Sequence, residues 1–328
     1  MSERPNVLVT RPIMEGPLRT LRGRCDVTVH ENELGIPRDE LLKLVQGRDA
    51  IVTMLTEKVD AEFLAAAGPK LKIVANHAVG FDNVDLAACT AAGVLASNTP
   101  DVLTETTADT AFALIMAAAR RIGEGERFLR AGTPWIWGPL MMLGQDLHHK
   151  TIGIVGFGRI GQAVARRAKG FGMRVLYTDA VQLPPEVEAE TGAERRELDE
   201  LLAEADIVSI HTNLTPETRH LFGREAFERM KDTAVLVNTS RGPVVDEAAL
   251  ADALAAGQIF AAGLDVFENE PQVHPKLLEL ENVVVIPHLG SATVDTRNAM
   301  GMVVVDNVFA ALDGERPPTL LNPDAWRG

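Results

Sequence analysis

Three glycines at fixed spacing, with one acidic residue further along, are the residues whose types and positions point most directly to a chemistry. The stretch KTIGIVGFGRIG sets Gly156, Gly158 and Gly161 directly after an apolar run and at the opening of a helical pattern. In that context the first glycine permits a tight turn and the second lets a pyrophosphate approach the backbone. The third lets helix and strand pack closely. Gly158, Arg159, Ile160 and Gly161 then form the start of a helix whose unpaired N–H groups face the phosphates of a dinucleotide. Asp179 stands eighteen positions after Gly161, at the end of RVLYTD. A carboxylate there accepts hydrogen bonds from adenosine ribose hydroxyls and repels a 2′-phosphate, which predicts NAD rather than NADP. Asp179 could also act as a plain strand-end turn former, and neighbouring Arg174 reads as an exposed strand charge.

Such a turn needs a sheet to carry it. Asn6–Thr10, Asp26–His30, Asp49–Thr53, Leu71–Ala75 and Val94–Ser97 read as short strands. Asp39–Gln46, Asp60–Ala67 and Asn83–Ala92 read as helices between them, each opened by an Asp or Asn able to cap exposed N–H groups. Ile152–Val155, Arg174–Tyr177, Ile207–Ile210, Ala234–Asn238, Ala261–Leu264 and Val283–Ile286 form a second series of six strands. Strands alternating with helices imply the α/β class, with parallel sheets covered on both faces. Leu103–Arg121 carries small and apolar residues around most of its surface, so it is expected to be a buried helix linking two domains. Gly132–His149 holds Trp135 and Trp137 in a Gly- and Pro-punctuated loop of the kind that serves an interface or a site. Thr293–Leu312 is helix-patterned and is expected to cross back to the first domain.

Bulk properties bound the class. A chain of 328 residues exceeds the roughly 250–300 residues of a single core, so two domains are expected. It has no apolar run near the roughly 20 residues that span a bilayer. The start, MSERPNVLVT, lacks the pattern of a secretory signal. Cys25 and Cys89 are too few for a disulfide framework, which suits a reducing cytoplasm. His148 and His149 face different ways on any regular element, so no metal is expected. The net charge of −14 opposes nucleic-acid binding, and it requires a local positive group wherever an anionic substrate docks.

Across nearly its whole length the chain resembles the D-2-hydroxyacid dehydrogenase family, through VGFDNVD, KTIGIVGFGRIG, NTSRGPVVDEAAL, AGLDVFENEP and PHLGSAT. Within it the resemblance is to the glyoxylate and hydroxypyruvate reductase branch, through NTPDVLTETTADTAFALIMAAAR, WGPLMMLGQDLHHKTIGIVG and RPPTLLN. The resemblance implies two Rossmann-like domains with parallel sheets: a flavodoxin-like substrate domain of residues 1–101 plus 290–328, interrupted by an NAD-binding domain of residues 102–289. It implies NADH-dependent reduction of a small 2-keto acid in the cleft between them. Arg241 would bind the substrate carboxylate and keto oxygen, its guanidinium presenting paired donors. His288 would protonate the keto oxygen, and Glu270 would hydrogen-bond it and favour the imidazolium. Val79 and Gly80 would offer backbone N–H groups to the carboxylate. Thr107 would touch the cofactor and Asp265 the nicotinamide amide. Trp137, with Leu140 and Met141, would reach toward the substrate pocket of a partner subunit in a homodimer.

Two positions depart from the family pattern. Asn213 stands where a proline is common, and His77 stands where a smaller or an aromatic residue is common. Rival readings are a dehydrogenase for D-lactate or 3-phosphoglycerate, and a non-catalytic NAD(H)-sensing scaffold. A phosphorylated substrate would want Lys or Arg beside Val79–Gly80, and none is adjacent.

Overall fold

A computed structural model describes residues 4–327. Along the chain it begins with β1 (Asn6–Val9), α1 (Glu15–Arg24), β2 (Asp26–Val29), α2 (Arg38–Leu44) and β3 (Ala50–Thr53). Next come α3 (Ala61–Ala67), β4 (Ile73–Asn76), α4 (Leu86–Ala92) and β5 (Leu95–Ser97). A second series opens with α5 (Thr104–Ala119), α6 (Ile122–Arg130), β6 (Thr151–Val155), α7 (Arg159–Gly170) and β7 (Arg174–Thr178). It continues through α8 (Pro185–Thr191), β8 (Ala193–Arg195), α9 (Leu198–Glu204), β9 (Ile207–Ile210), α10 (Arg224–Arg229) and β10 (Val235–Asn238). The last elements are α11 (Glu247–Ala255), β11 (Ala261–Leu264), α12 (Pro275–Glu279), β12 (Val283–Val285) and α13 (Val294–Asp313). The chain divides into two compact units, one of Met1–Leu103 with Ala292–Gly328 and one of Thr104–Ser291.

In the first unit five parallel strands lie in the order β2-β1-β3-β4-β5, the flavodoxin-like arrangement. β3 and β4 are buried along their whole length, which explains why each is apolar up to its last residue, Thr53 in one and Asn76 in the other. α13 returns the chain to this unit and packs on α1 and β4. Asp60 caps α3 by accepting from the Phe63 N–H at 3.0 Å, as its position before the helix suggests. α4 starts later than its pattern: its cap is Asp85, and the Asn83 amide instead donates to the Met54 and Glu57 carbonyls. Nor does sequence pattern mark α1. Its Pro17 falls in the first turn, where the missing N–H has no intrahelical partner to lose.

The second unit holds seven parallel strands in the order β12-β11-β10-β9-β6-β7-β8. This is the dinucleotide-binding order with one strand more than the six expected. The additional strand, β8, has the sequence Ala-Glu-Arg and carries no β-branched or aromatic signal; it forms because the sheet edge at β7 offers it a ladder. α5 is not a free linker. It packs against α7, β10 and β11, which is why its surface is so apolar. α6 buries none of its residues, and the stretch from Gly132 to His149 contains neither helix nor strand.

Candidate active site

β6 and β9 are neighbours although far apart in sequence, so the crossovers leave the sheet in opposite directions there. A ligand crevice is expected outside the carboxyl ends of such a strand pair. The glycine turn sits at that point. Gly156 has φ +89°, and a Cβ on it would lie 2.6 Å from the His211 carbonyl carbon. A Cβ on Gly161 would lie 2.3 Å from the Gly156 carbonyl oxygen. Gly158 differs: a Cβ there would meet nothing within 4 Å, and no side chain caps the helix it opens. Fold geometry therefore demands glycine at 156 and 161. At 158 the space is left to something that must approach the backbone, as a pyrophosphate would.

Asp179 closes this turn from the end of β7. Its Oδ2 accepts from the Phe157 N–H at 2.7 Å, and its Oδ1 accepts from the Val181 N–H at 3.1 Å. Phe157 in turn stacks on Tyr177 at 4.6 Å between ring centroids. The carboxylate is thus a turn former and a pin for the glycine loop, with lone pairs left for ribose hydroxyls. Arg159 is exposed and Ile160 half-buried at the start of α7. Thr107 is buried on α5, where a Cβ added at Gly290 would lie 3.6 Å from its Oγ1.

A second cluster forms where β10, β11 and β12 end. Asn238, the last residue of β10, organises the turn that carries Arg241. Its Oδ1 accepts from the Ser240 N–H (3.0 Å) and Oγ–H (2.9 Å), while its Nδ2 donates to the Arg241 carbonyl at 3.0 Å. The Asn238 carbonyl also accepts from the Asp265 N–H at 3.0 Å, and the Asp265 carbonyl accepts from the His288 N–H at 2.8 Å. His288 has φ +54°, a left-handed conformation uncommon for a non-glycine residue. Asp265 holds it there, because its carboxylate accepts from the N–H groups of Leu289 and Gly290. The residue expected to bind the nicotinamide amide is therefore already anchoring the histidine loop, with one further lone pair on each oxygen.

Glu270 meets this loop from the segment after β11. Its Oε1 accepts from the Phe267 N–H at 3.1 Å, and its Oε2 lies 3.0 Å from His288 Nδ1. Burial works to raise the Glu270 pKa, but the hydrogen bond and charge of His288, the Phe267 N–H and the Arg241 guanidinium outweigh it. The net effect is a lowered value. For Asp265, burial dominates and pushes the pKa up. Arg241, Glu270 and His288, which come from three strand ends, are thus brought together within the second unit.

The first unit carries the turn Val79–Gly80 after β4. Asn98 Nδ2 donates to the Val79 carbonyl at 2.8 Å and Asn76 Nδ2 donates to the Gly80 carbonyl at 3.0 Å. With both carbonyls taken, N–H groups are what the turn offers a ligand. His77 is buried beside it, its Nε2 without a hydrogen-bond partner. Burial, aided by the Arg297 guanidinium, lowers its pKa to about 4, so the ring is neutral near pH 7. Sequence reading missed Asn76, Asn98 and Asn238. An Asn at or just past a strand end is their common signal, and it does not distinguish a brace from an ordinary turn. Trp137 lies on an exposed loop of the second unit with 78% of its surface accessible. Asn213, also exposed, accepts from the Thr218 hydroxyl through its carbonyl.

Comparison with known proteins identifies the family. Residues 112–290 match the family model described as D-isomer specific 2-hydroxyacid dehydrogenase, NAD binding domain. The chain is 53% identical to a glyoxylate reductase of Thermococcus onnurineus, over 97% of this chain and 96% of that one. A solved structure from Thermus thermophilus superposes with a TM-score of 0.89 at 45% identity, covering 96% of this chain and 99% of the other. The NADPH-dependent glyoxylate/hydroxypyruvate reductase of Sinorhizobium meliloti, in complex with NADP and malonate, superposes at 0.83 with 34% identity, covering 99% of each chain. With its glycine turn at the strand crossover and its histidine loop held by an acidic residue, the chain belongs to the D-isomer specific 2-hydroxyacid dehydrogenases and is an NAD-binding oxidoreductase.

Proposed function

We propose that the protein reduces a small 2-keto acid, glyoxylate or hydroxypyruvate, to the D-2-hydroxy acid, with NADH as the preferred reductant. The observation that carries this reading is the 3.0 Å contact between His288 Nδ1 and Glu270 Oε2, with Arg241 close enough to lower the Glu270 pKa. Since Nδ1 is given to Glu270, Nε2 is the nitrogen left to hand a proton to the keto oxygen. The ionised Glu270 steadies the imidazolium before that transfer, and the ring is reprotonated from solvent afterwards. Arg241 pairs with the substrate carboxylate and supplies the positive charge that an anion needs on a protein of net charge −14. The Val79–Gly80 turn of the first unit offers N–H groups suited to a carboxylate. When bound, the reduced nicotinamide supplies the hydride that the keto carbon receives.

On this reading the second unit is the NAD-binding domain and the first is the substrate domain. Thr107 and Asp265 line the nicotinamide side, the residues from Gly156 to Gly161 the pyrophosphate, and Asp179 the ribose, where its charge disfavours NADPH. Ile122, Leu129, Trp135, Ile136, Trp137, Leu140 and Leu143 are all exposed apolar side chains on α6 and the loop after it. A patch of this kind supports a homodimer, with Trp137, Leu140 and Met141 closing the partner's substrate pocket to all but short side chains. Buried, unpaired Cys25 and Cys89 suit a cytoplasmic protein. The relatives named glyoxylate reductase support the choice of substrate.

The test is kcat/KM for glyoxylate, hydroxypyruvate and a branched-chain keto acid, each with NADH and with NADPH. Short acids with NADH are expected to lead. Faster reduction of the branched acid would refute the small pocket, and a preference for NADPH would refute the role given to Asp179.

A further inference from the structure

Three arginines lie at the sheet edge where β7 meets β8, and two are committed to carboxylates. Arg174 bonds both Glu194 oxygens, at 3.0 and 2.8 Å, and Glu204 at 2.7 Å. Arg196 bonds Glu194 at 2.8 Å and Glu204 at 3.1 Å. Arg195 behaves differently. Among the described residues no ion pair engages its guanidinium, and its Nη2 donates to the Asp179 backbone carbonyl at 3.4 Å. The strand register sets Tyr177 opposite Arg195, so their side chains project from the same face, and Asp179 follows the end of β7 two residues beyond Tyr177. Arg195 is exposed, so its guanidinium keeps donors for a ligand.

We propose that Arg195 is the cationic wall of the adenosine-ribose pocket and the residue that limits how strongly this chain rejects a 2′-phosphorylated dinucleotide. The inference rests on the reading of Gly156–Gly161 and Asp179 as a dinucleotide site. The chain after Asp179 runs Ala180, Val181, Gln182 and offers no cation, so discrimination looks, in sequence, like the work of the carboxylate alone. Across the ladder, however, a planar guanidinium touches the same residue's backbone. A phosphate on the ribose 2′-oxygen would meet repulsion from Asp179 and attraction from Arg195 together. Removing the Asp179 charge then leaves a phosphate-pairing group already in place, and no arginine has to be introduced at position 180.

The experiment compares wild type, Asp179→Ser, Arg195→Gln and the double variant, measuring kcat/KM for NADH and NADPH. Competitive inhibition by adenosine 2′,5′-bisphosphate and by 5′-AMP is measured beside it. Asp179→Ser is expected to raise the NADPH-to-NADH selectivity ratio, and adding Arg195→Gln to take back about tenfold of it, the scale of one hydrogen bond to a charged group. Inhibition by the bisphosphate is expected to weaken by the same factor relative to 5′-AMP. Should Asp179→Ser fail to fold after losing its bond to Phe157 N–H, Asp179→Asn keeps an acceptor oxygen without the charge. Equal selectivity in Asp179→Ser and the double variant, within twofold, would overturn the role of Arg195. Unchanged selectivity on replacing Asp179 alone would instead overturn the ribose site itself, and the proposal with it; failure of wild type to bind NADH would do the same for the whole dinucleotide reading.

Discussion

Gly242 lies so close to Phe267 that a Cβ on it would sit 1.8 Å from the Phe267 carbonyl carbon and 1.9 Å from its oxygen. This contact joins the turn of Arg241 to the segment whose Phe267 N–H anchors Glu270, so the two side chains are set relative to each other through backbone. Gly242→Ala is expected to force the segments apart, costing at least about 2 kcal/mol of stability. Turnover should fall further than stability alone explains. Thermal unfolding measured beside kcat checks both; unchanged kcat with a lowered Tm would mean that the contact is structural only.

Replacing His288 by Ala should lower turnover roughly 10²- to 10⁴-fold, the usual contribution of a general acid, while NADH binding persists. Glu270→Gln probes the pair by a second readout. Because its pKa is lowered in the fold, Glu270 is ionised at any pH above the ordinary carboxylate range, and the activity its charge supports is present there and lost as pH falls through its folded pKa. Glu270→Gln should lower kcat and remove that acid limb of keto-acid reduction. An acid limb that survives in Glu270→Gln would assign Glu270 to structure.

The three glycines of the cofactor turn should separate in behaviour. Gly161→Ala, which would place a methyl 2.3 Å from the Gly156 carbonyl, is expected to lower both stability and NADH affinity. Gly158→Ala meets only open space, so unfolding should shift by no more than about 0.5 kcal/mol while NADH binding weakens at least about tenfold. NADH titration by fluorescence decides; undiminished binding in Gly158→Ala would mean that no pyrophosphate approaches there.

Acid stability should register the buried His77. Its folded pKa of about 4 lies below the roughly 6.5 of a free histidine, so the unfolded chain binds a proton that the folded one refuses. Its contribution is therefore fully present above about pH 6.5 and lost as pH falls toward 4, amounting to roughly 3 kcal/mol. His77→Phe should flatten that part of the stability curve in denaturant titrations between pH 4 and 7. An unchanged slope would place the acid sensitivity elsewhere.

Sedimentation at micromolar concentration should give a dimer, and Leu129→Glu with Leu140→Glu should shift it toward monomer, because both side chains are exposed on the apolar patch. A monomeric wild type would refute the assignment of that patch.

Sequence alone determined the features whose causes are local. Gly161 is required by the Gly156 carbonyl five residues before it, Asp60 caps the helix that follows it, and apolar runs such as Ala261–Leu264 announce strands buried on both faces. Family resemblance added the names Arg241, Glu270 and His288 without a geometry, since 47 positions separate the first from the last. Tertiary structure decided what depends on strand register and on chain that is distant in sequence. The ends of β10, β11 and β12 lie side by side only because those strands pair in parallel, and this lets Asn238 bond Asp265 and Asp265 bond the His288 loop. β8, three residues of unremarkable propensity, exists because an edge was available, and through it Arg195 reaches Asp179. Local pattern encodes backbone preference over one or two turns; it does not encode which edge a short strand will find or which side chains its register will then bring together.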